Sequence, residues 1–560
     1  MDIKGKVEKF TNIVEDKGAA YLARRTVFQA GMKLNGSRIV SYEEFKELCA
    51  PVKKEIVAQR EEYRELQEDG PKVLVMLCTD GSDADIESTK ASLKAQTYRP
   101  CKVLIGSRDH IRTHVENFLG DNGGDVWVLI LRAGDVLPPD YIYRLLKCAE
   151  DEPENALWYT DHVVMEGGEA RTHFKPDFNE EQLCAYNYIG EVFMVRADAL
   201  LLMENTDAYA CLLEAVADLG IGHCSDVWYE TTVTERESDA SVDELIKNIF
   251  TGMCKEETDI SVATGDGVRN VSLSLNVAPL VDVLIPNMDH AEDLDKCLRS
   301  LEKQSVAGRL HVIIIENNSK LEETESYYES LGEAFDMDIE VVRWEGTGFN
   351  YAALNNFGEK HAKGEYLLLL NNDVELMGEN AVEKLFECML IEGVGAVGAK
   401  LYYEDGSVQH AGVIVGMGGV AGHACVGARD GGYLNSANTM RRVSAVTAAC
   451  MLIDRALYQK IGGFNEEFAV DFNDVDLCLR IVSEGRKIIY QPQCEGVHYE
   501  SKSRGKEMRE GEALSRYNAD VERFRELWST FLAKGDPYYS PNLTLSRMDY
   551  SCGNPFLLKK

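Results

Sequence analysis

One strand–helix pattern occurs twice in this chain. Lys72-Val-Leu-Val-Met-Leu77 reads as a buried strand, followed by polar residues and a helical segment ending Ser92-Leu93-Lys-Ala-Gln96-Thr97. Val281-Asp-Val-Leu-Ile285 repeats the strand, and Ser300-Leu301-Glu-Lys-Gln304-Ser305 repeats the helix end 208 residues further on. Second strands follow in both, Lys102-Val-Leu-Ile105 and Val312-Ile-Ile-Ile315. Strand alternating with helix dictates βαβ units and mostly parallel sheets, an α/β fold. Further along, Val126-Trp-Val-Leu-Ile-Leu131 matches Tyr366-Leu-Leu-Leu-Leu370, and Glu191-Val-Phe-Met-Val195 mirrors Ala449-Cys-Met-Leu-Ile453. The expectation is two tandem Rossmann-like domains, at 71–270 and 279–505. A charged helical accessory region (1–70) would precede them, and a helix and turn-rich tail (506–560) would follow.

The length of 560 residues exceeds what one hydrophobic core supports, in keeping with more than one domain. An apolar fraction of 45% is that of an ordinary globular protein. The net charge of −35 argues against nucleic acid as a partner, because that binding rests on Lys and Arg neutralising phosphates. It argues equally against broad adhesion to anionic lipid, with Lys502-Ser-Arg504-Gly-Lys506 as a local basic exception. No apolar run approaches the roughly 20 residues of a membrane span. Met1-Asp-Ile-Lys-Gly-Lys lacks the apolar core of a signal peptide, so a cytoplasmic location is expected. The fifteen cysteines are scattered without a Cys-x-x-Cys pair, so they are expected to act as small hydrophobes rather than hold zinc.

The chemistry-bearing residues gather in the second copy. The apolar run 366–370 ends in Asn371-Asn372-Asp373, where open α/β sheets bind ligands. Asn-Asn-Asp reads as a variant of the Asp-x-Asp element of sugar-nucleotide transferases, whose carboxylate shares Mg²⁺ or Mn²⁺ with a diphosphate. It is also ordinary turn chemistry. Pro286 closes the first strand. Glu316, ending the second, could accept from a nucleobase or ribose, or serve as a solvated strand-end cap. Gly348-Phe-Asn350 opens a helix on which Asn355 and Asn356 would face a donor, or simply the surface. In Asn473-Asp474-Val-Asp476 the acid at a helix start is either a cap or a general base. His498 is a metal ligand or a structural histidine. The glycine-rich 416–422 segment is an acceptor-side loop or a plain flexible one.

Taken together, these residues resemble glycosyltransferase family 2, whose members have the GT-A fold. The likeness covers nearly all of the second copy. It is closest to bacterial members that build cell-surface polysaccharides, in which Asn-Asn-Asp, Asn-Asp-Val-Asp-Leu and His-x-Glu-Ser-Lys-Ser-Arg-Gly occur together. The resemblance implies that Asp373 and His498 hold a divalent Mn or Mg ion and that Asp474 is the catalytic base. It also implies that Pro286, Glu316, Asn355, Asn372 and Asp373 line the donor pocket. Asn371 stands where the family commonly has Asp, and Asn473 where a Glu often accompanies the base. The implied partners are a nucleotide-diphosphate sugar and a glycan or lipid-linked glycan acceptor, with work at the inner face of the membrane beside other glycan-assembly enzymes.

The first copy resembles the same family, including Phe174-Lys-Pro-Asp177 and Asn187-Tyr-Ile-Gly190. Aligned by sequence, it places Ala133 opposite Asn371, keeps Asp135 as the last carboxylate, and sets Ala208 and Glu230 where the base and the histidine belong. A degenerate domain is therefore expected. The rival readings are a two-site polymerase, with both copies active, and a non-catalytic glycan-binding or scaffold subunit. A nucleotidyltransferase would need a basic, glycine-rich phosphate loop at the first strand, which Ile285-Pro-Asn-Met-Asp289 is not.

Overall fold

The computed structural model describes residues 39–65, 70–79, 83–232, 242–265, 267–274, 278–499 and 511–553. The Glu500–Lys506 part of the last motif lies outside the described residues. Among the described residues, no helix is long and apolar enough to cross a membrane. No disulfide joins the fifteen cysteines.

The chain forms two units, which divide it differently from the sequence pattern. The first comprises described residues within 39–183 and 187–249, together with 539–553. Its strands are β1 (Lys72–Cys78), β2 (Lys102–Gly106), β3 (Val126–Arg132), β4 (Asn155–Glu166), β5 (Glu169–His173), β6 (Phe193–Arg196) and β7 (Gly220–Thr231). They run in the order β2-β1-β3-β6-β4-β5, with β7 on β4. The helix Tyr42–Cys49 belongs to this core rather than to a separate accessory region. Phe45 is fully buried against Phe174 and Trp228, and the Tyr42 hydroxyl donates to Glu230 at 2.5 Å. The tail joins this unit too, since Asn542 Nδ2 donates to Asp161 Oδ2 at 2.8 Å and to Ser225 O at 2.7 Å.

The second unit takes residues 184–186 and 250–538. It opens with the hairpin β8 (Ile260–Gly265) and β9 (Val268–Leu273). Residues 250–274, which the sequence pattern gives to the first copy, belong here: Glu392 N donates to Met253 O at 2.7 Å and Lys255 N to Leu390 O at 2.9 Å. The main sheet contains β10 (Val281–Asn287), β11 (Leu310–Glu316), β12 (Asp338–Arg343), β13 (Tyr366–Leu370), β14 (Val374–Leu376) and β15 (Val394–Tyr402). Then come β16 (Val408–His410), the small hairpin β17 (Val413–Val415) and β18 (Ala421–His423), β19 (Arg441–Arg442), β20 (Cys450–Asp454) and β21 (Lys487–His498). The order is β12-β11-β10-β13-β20-β15-β21-β14. The first four strands are parallel, β20 runs antiparallel between β13 and β15, and β15 pairs parallel with β21. Strands β10, β11 and β13 are buried almost throughout, which is why they read as unbroken Val, Ile and Leu runs.

Both sheets trace the same path, β2-β1-β3-β6-β4 in one and β11-β10-β13-β20-β15 in the other. Their registers allow residue-level correspondence. Trp127 pairs with Arg196 and Tyr366 with Asp454, and each partner is the residue just before the next helix. Counting onward sets Arg132, Ala133 and Gly134 opposite Asn371, Asn372 and Asp373. The pairs β4–β7 and β15–β21 also share two irregularities: Asn155 and Leu157 meet Gly220 and Ile221 as Val394 and Ala396 meet Lys487 and Ile488, and Thr160 and Asp161 meet Cys224 and Trp228 as Ala399 and Lys400 meet Gln491 and Glu495. Thr231 therefore stands opposite His498, and Glu230 opposite Val497. The Val136–Glu230 bridge, matching Glu375–Val497, agrees. The first helical bonds, Cys211 N to Asp207 O and Asp476 N to Phe472 O, put Tyr209 rather than Ala208 opposite Asp474. Sequence alignment missed these offsets because bulges and loop lengths absorb single residues without leaving a mark in the apolar pattern.

Candidate active site

The apolar strand β13 stops at Leu370, and the chain turns through Asn371-Asn372-Asp373, with Val374 N donating to Asn371 O at 3.2 Å. Strand β14 then runs antiparallel to the end of β21, setting Val374 beside His498. Asp373 Oδ1 lies 3.2 Å from His498 Nε2, and both side chains are about nine-tenths buried. Asn371 Nδ2 lies 3.3 Å from the same nitrogen.

Gln409, which no sequence signal marked, decides the state of that imidazole. Its Nε2 donates to His498 O at 3.3 Å, so its Oε1 faces His498 Nδ1 at 2.7 Å. Nδ1 must then carry the proton of the neutral ring, leaving the Nε2 lone pair directed at Asp373 and Asn371. A carboxylate oxygen and an imidazole lone pair facing each other at this distance repel unless a cation or a proton lies between them. Oxygen and imidazole donors suit Mn²⁺ or Mg²⁺, which keep several non-protein ligands. The residues present fit such an ion. Among the described residues, no group of three or more His, Cys, Asp or Glu forms a cage, so a bound ion would complete its shell from substrate and water.

Asp474 sits in the first turn of the helix Asn473–Ser483, after Phe472 in the left-handed region (φ 63°). A non-glycine residue there is strained, and the rings of Tyr517 and Phe524 pack against Phe472. Asp474 Oδ2 accepts from Ala448 N at 3.3 Å, and the next residue's carbonyl, Ala449 O, accepts from Asn371 N at 3.0 Å. Two consecutive residues before β20 thus tie the candidate base to the Asn-Asn-Asp turn. Asp476 is a structural acid instead: fully buried, it binds Arg480 Nε at 2.9 Å and accepts from Trp528 Nε1 at 3.0 Å.

The remaining candidates are placed less directly. Pro286 is buried in β10, in register with Ile315. Asn372 Nδ2 donates to Asn287 Oδ1 at 2.6 Å, Asn287 Nδ2 to the Tyr328 hydroxyl at 2.7 Å, and that hydroxyl to Glu316 Oε2 at 2.6 Å. Glu316 also accepts from Ser319 N at 2.5 Å and Ser319 Oγ at 2.8 Å. Its carboxylate is buried and internally bonded, which corrects the reading of a solvated cap. Burial and Glu316 together push the Tyr328 phenol well up. Asn355 is fully buried, and its Nδ2 bonds back to Tyr351 O at 2.9 Å. Asn356 accepts from Tyr458 at 2.6 Å and Phe464 N at 2.9 Å, and donates to Phe464 O at 3.0 Å. The glycine-rich segment is the β17–β18 hairpin, held by Val415 N to Asp536 Oδ2 at 2.8 Å and Arg525 Nε to Gly419 O at 3.1 Å.

In the first unit Asp135 is fully buried. Its Oδ2 accepts from Arg132 N at 2.7 Å, and burial pushes the carboxyl up to about 6, offset in part by Arg132 and Thr231.

Residues 278–515 match the family described as glycosyltransferase like family 2. An uncharacterized protein, y4gI of Sinorhizobium fredii (strain NBRC 101917 / NGR234), is 32% identical over 501 residues, 85% of this chain and 54% of that one. The O-antigen biosynthesis protein RfbC of Myxococcus xanthus is 29% identical over 484 residues, 81% of this chain and 36% of that one. The chain thus spans about half or less of the length of these curated relatives. Among solved structures, the mannosyltransferase PcManGT from Pyrobaculum calidifontis, in complex with GDP-Man and Mn²⁺, is 17% identical with a TM-score of 0.32. That alignment covers 49% of this chain and 73% of the other. The match thus places a glycosyltransferase like family 2 domain within residues 278–515, in the second unit.

Proposed function

We propose that the second unit is an inverting glycosyltransferase that moves a sugar from a nucleotide-diphosphate donor to a glycan or lipid-linked glycan in bacterial surface polysaccharide synthesis. The observation that carries this reading is the Asp373–His498 pair, with Gln409 holding the imidazole lone pair toward the carboxylate. A divalent ion held by Asp373 and His498 would supply Lewis-acid neutralisation of the leaving diphosphate. Asp474 takes the proton of the acceptor hydroxyl as its oxygen bonds to the anomeric carbon and the carbon–phosphate oxygen bond breaks on the opposite face. Ala448 N and Val475 N steady that carboxylate, at 3.3 and 2.8 Å. Asn371, on the turn tied to Ala449, keeps the diphosphate end of the site in line with the base. The work is placed in the cytoplasm, at the inner face of the membrane and beside other glycan-assembly enzymes.

The first unit is proposed to be catalytically silent, because Gly134, Thr231 and Tyr209 stand where Asp373, His498 and Asp474 act. That counts against a two-site polymerase, and the intact second site counts against a pure scaffold. The test is a panel of nucleotide sugars, assayed for binding and hydrolysis by the chain with Mn²⁺, with chelator, and in Asp373→Ala. The expected result is one preferred donor, hydrolysed only with metal and only by the parent chain. Donor hydrolysis unchanged by chelator and by Asp373→Ala would overturn the metal-assisted reading.

A further inference from the structure

The first unit carries an arrangement that the second unit's chemistry does not use. The helix Ile111–Asn122 leads into β3 as Tyr351–Glu359 leads toward β13, and Ala208–Asp218 leads into β7 as Asn473–Ser483 leads to β21. Three arginines meet where these elements converge. Arg132, in the place of Asn371, sets Nη1 3.0 Å from Glu191 Oε1, and Arg108 Nη2 donates to Glu191 O at 2.9 Å. Arg112, one turn on from Arg108, keeps Nε and Nη2 buried with no acceptor among the described residues. Arg108 and Arg112 both act on the Cys211 thiol, in the first turn of the helix facing them. Burial pushes that thiol up to about 12, and the two guanidinium charges oppose the shift.

The acids nearby are engaged through at least one oxygen each, and of these only Asp135 Oδ1 is buried without a hydrogen-bond partner among the described residues. Glu191 pairs with Arg132, and Asp135 accepts from Arg132 N. Asp207 accepts from Ala210 N at 3.0 Å, and Glu214 from Glu204 N at 3.0 Å, Asn205 N at 3.2 Å and Asn205 Nδ2 at 2.6 Å. A buried guanidinium N–H without an acceptor is costly, and a fork of such donors matches the oxygens of a phosphate group. The metal positions have meanwhile become Gly134 and Thr231.

We propose that this arginine cluster binds a diphosphate without metal, through Arg108, Arg112 and Arg132. The ligand is the diphosphate of a sugar nucleotide or of a lipid-linked glycan, and arginine charge does here what the cation does in the second unit. The test is calorimetry of the full chain with inorganic pyrophosphate and, separately, with UDP and GDP, all in excess chelator. We expect one chelator-resistant site for pyrophosphate, weakened at least tenfold by Arg112→Gln, partly kept by Arg112→Lys and unchanged by Asp373→Ala. Tighter binding of UDP or GDP than of pyrophosphate assigns the diphosphate to a sugar nucleotide; equal binding assigns it to a lipid-linked glycan. Circular dichroism establishes that each variant is folded. Absence of pyrophosphate binding in chelator overturns the proposal, as does equal affinity in the parent and a folded Arg112→Gln chain. Loss of that binding in Asp373→Ala would also overturn it, since the ligand would then sit in the second unit.

Discussion

Replacing Gln409 by Leu should weaken Mn²⁺ binding without removing a ligand. In the native arrangement Gln409 Oε1 accepts the Nδ1 proton of His498 at 2.7 Å, and its Nε2 holds the His498 carbonyl at 3.3 Å. Leucine has a similar volume but cannot accept, so the imidazole loses the bond that orients it and selects its tautomer. Removing a partner of this kind typically costs about 10–100-fold in metal affinity. At roughly 1.4 kcal/mol per decade, that is about 1.4–2.8 kcal/mol. The buried Nδ1–H left without an acceptor adds a folding penalty of about 1–3 kcal/mol, so stability should be followed alongside. The assay is calorimetric titration of Mn²⁺ into the parent, Gln409→Leu and Gln409→Glu chains at neutral pH. Glutamate restores an acceptor at Nδ1 and should recover most of the affinity. A folded Gln409→Leu chain that binds Mn²⁺ as tightly as the parent would refute the reasoning, showing that His498 Nε2 is not held for a metal by this bond.

Asp474→Asn keeps the shape and the Ala448 N contact, so turnover should fall by roughly 10²–10⁴-fold with donor affinity retained, as steady-state kinetics and donor calorimetry would show. Asp135→Asn should flatten the dependence of stability on pH. The native carboxyl, raised from 3.8 to about 6, binds more protons than the unfolded one, so stability present below about pH 4 is lost as pH rises to about 6. The loss is about 3 kcal/mol at most, seen by calorimetric melting from pH 4 to 7. Tyr328→Phe removes the hydroxyl linking Asn287 to Glu316 and should cost about 1–3 kcal/mol in denaturant unfolding, more than a surface Tyr→Phe change.

The amino-acid sequence determined the strand–helix alternation, the duplicated pattern and the strands that end in polar residues, because buried parallel strands can only be written as apolar runs. It also marked Asp373, Asp474 and His498, since each sits at the end of such a run or the start of a helix. What those residues touch was decided by tertiary structure. Gln409 reaches His498 only because β16 folds back on β15 and β21 returns beside β14, contacts that join residues 89 and 124 positions apart. Glu316 and Asn356 look alike in sequence to groups that await a ligand, and only the fold shows that Glu316 accepts from Ser319 and Tyr328 and that Asn356 accepts from Tyr458 and Phe464. The counterparts of the site in the first unit were likewise beyond the sequence. A bulge or a shortened loop shifts a strand by one residue while leaving its apolar character intact, so only the hydrogen-bonded register separates Gly134 from Asp135 and Thr231 from Glu230.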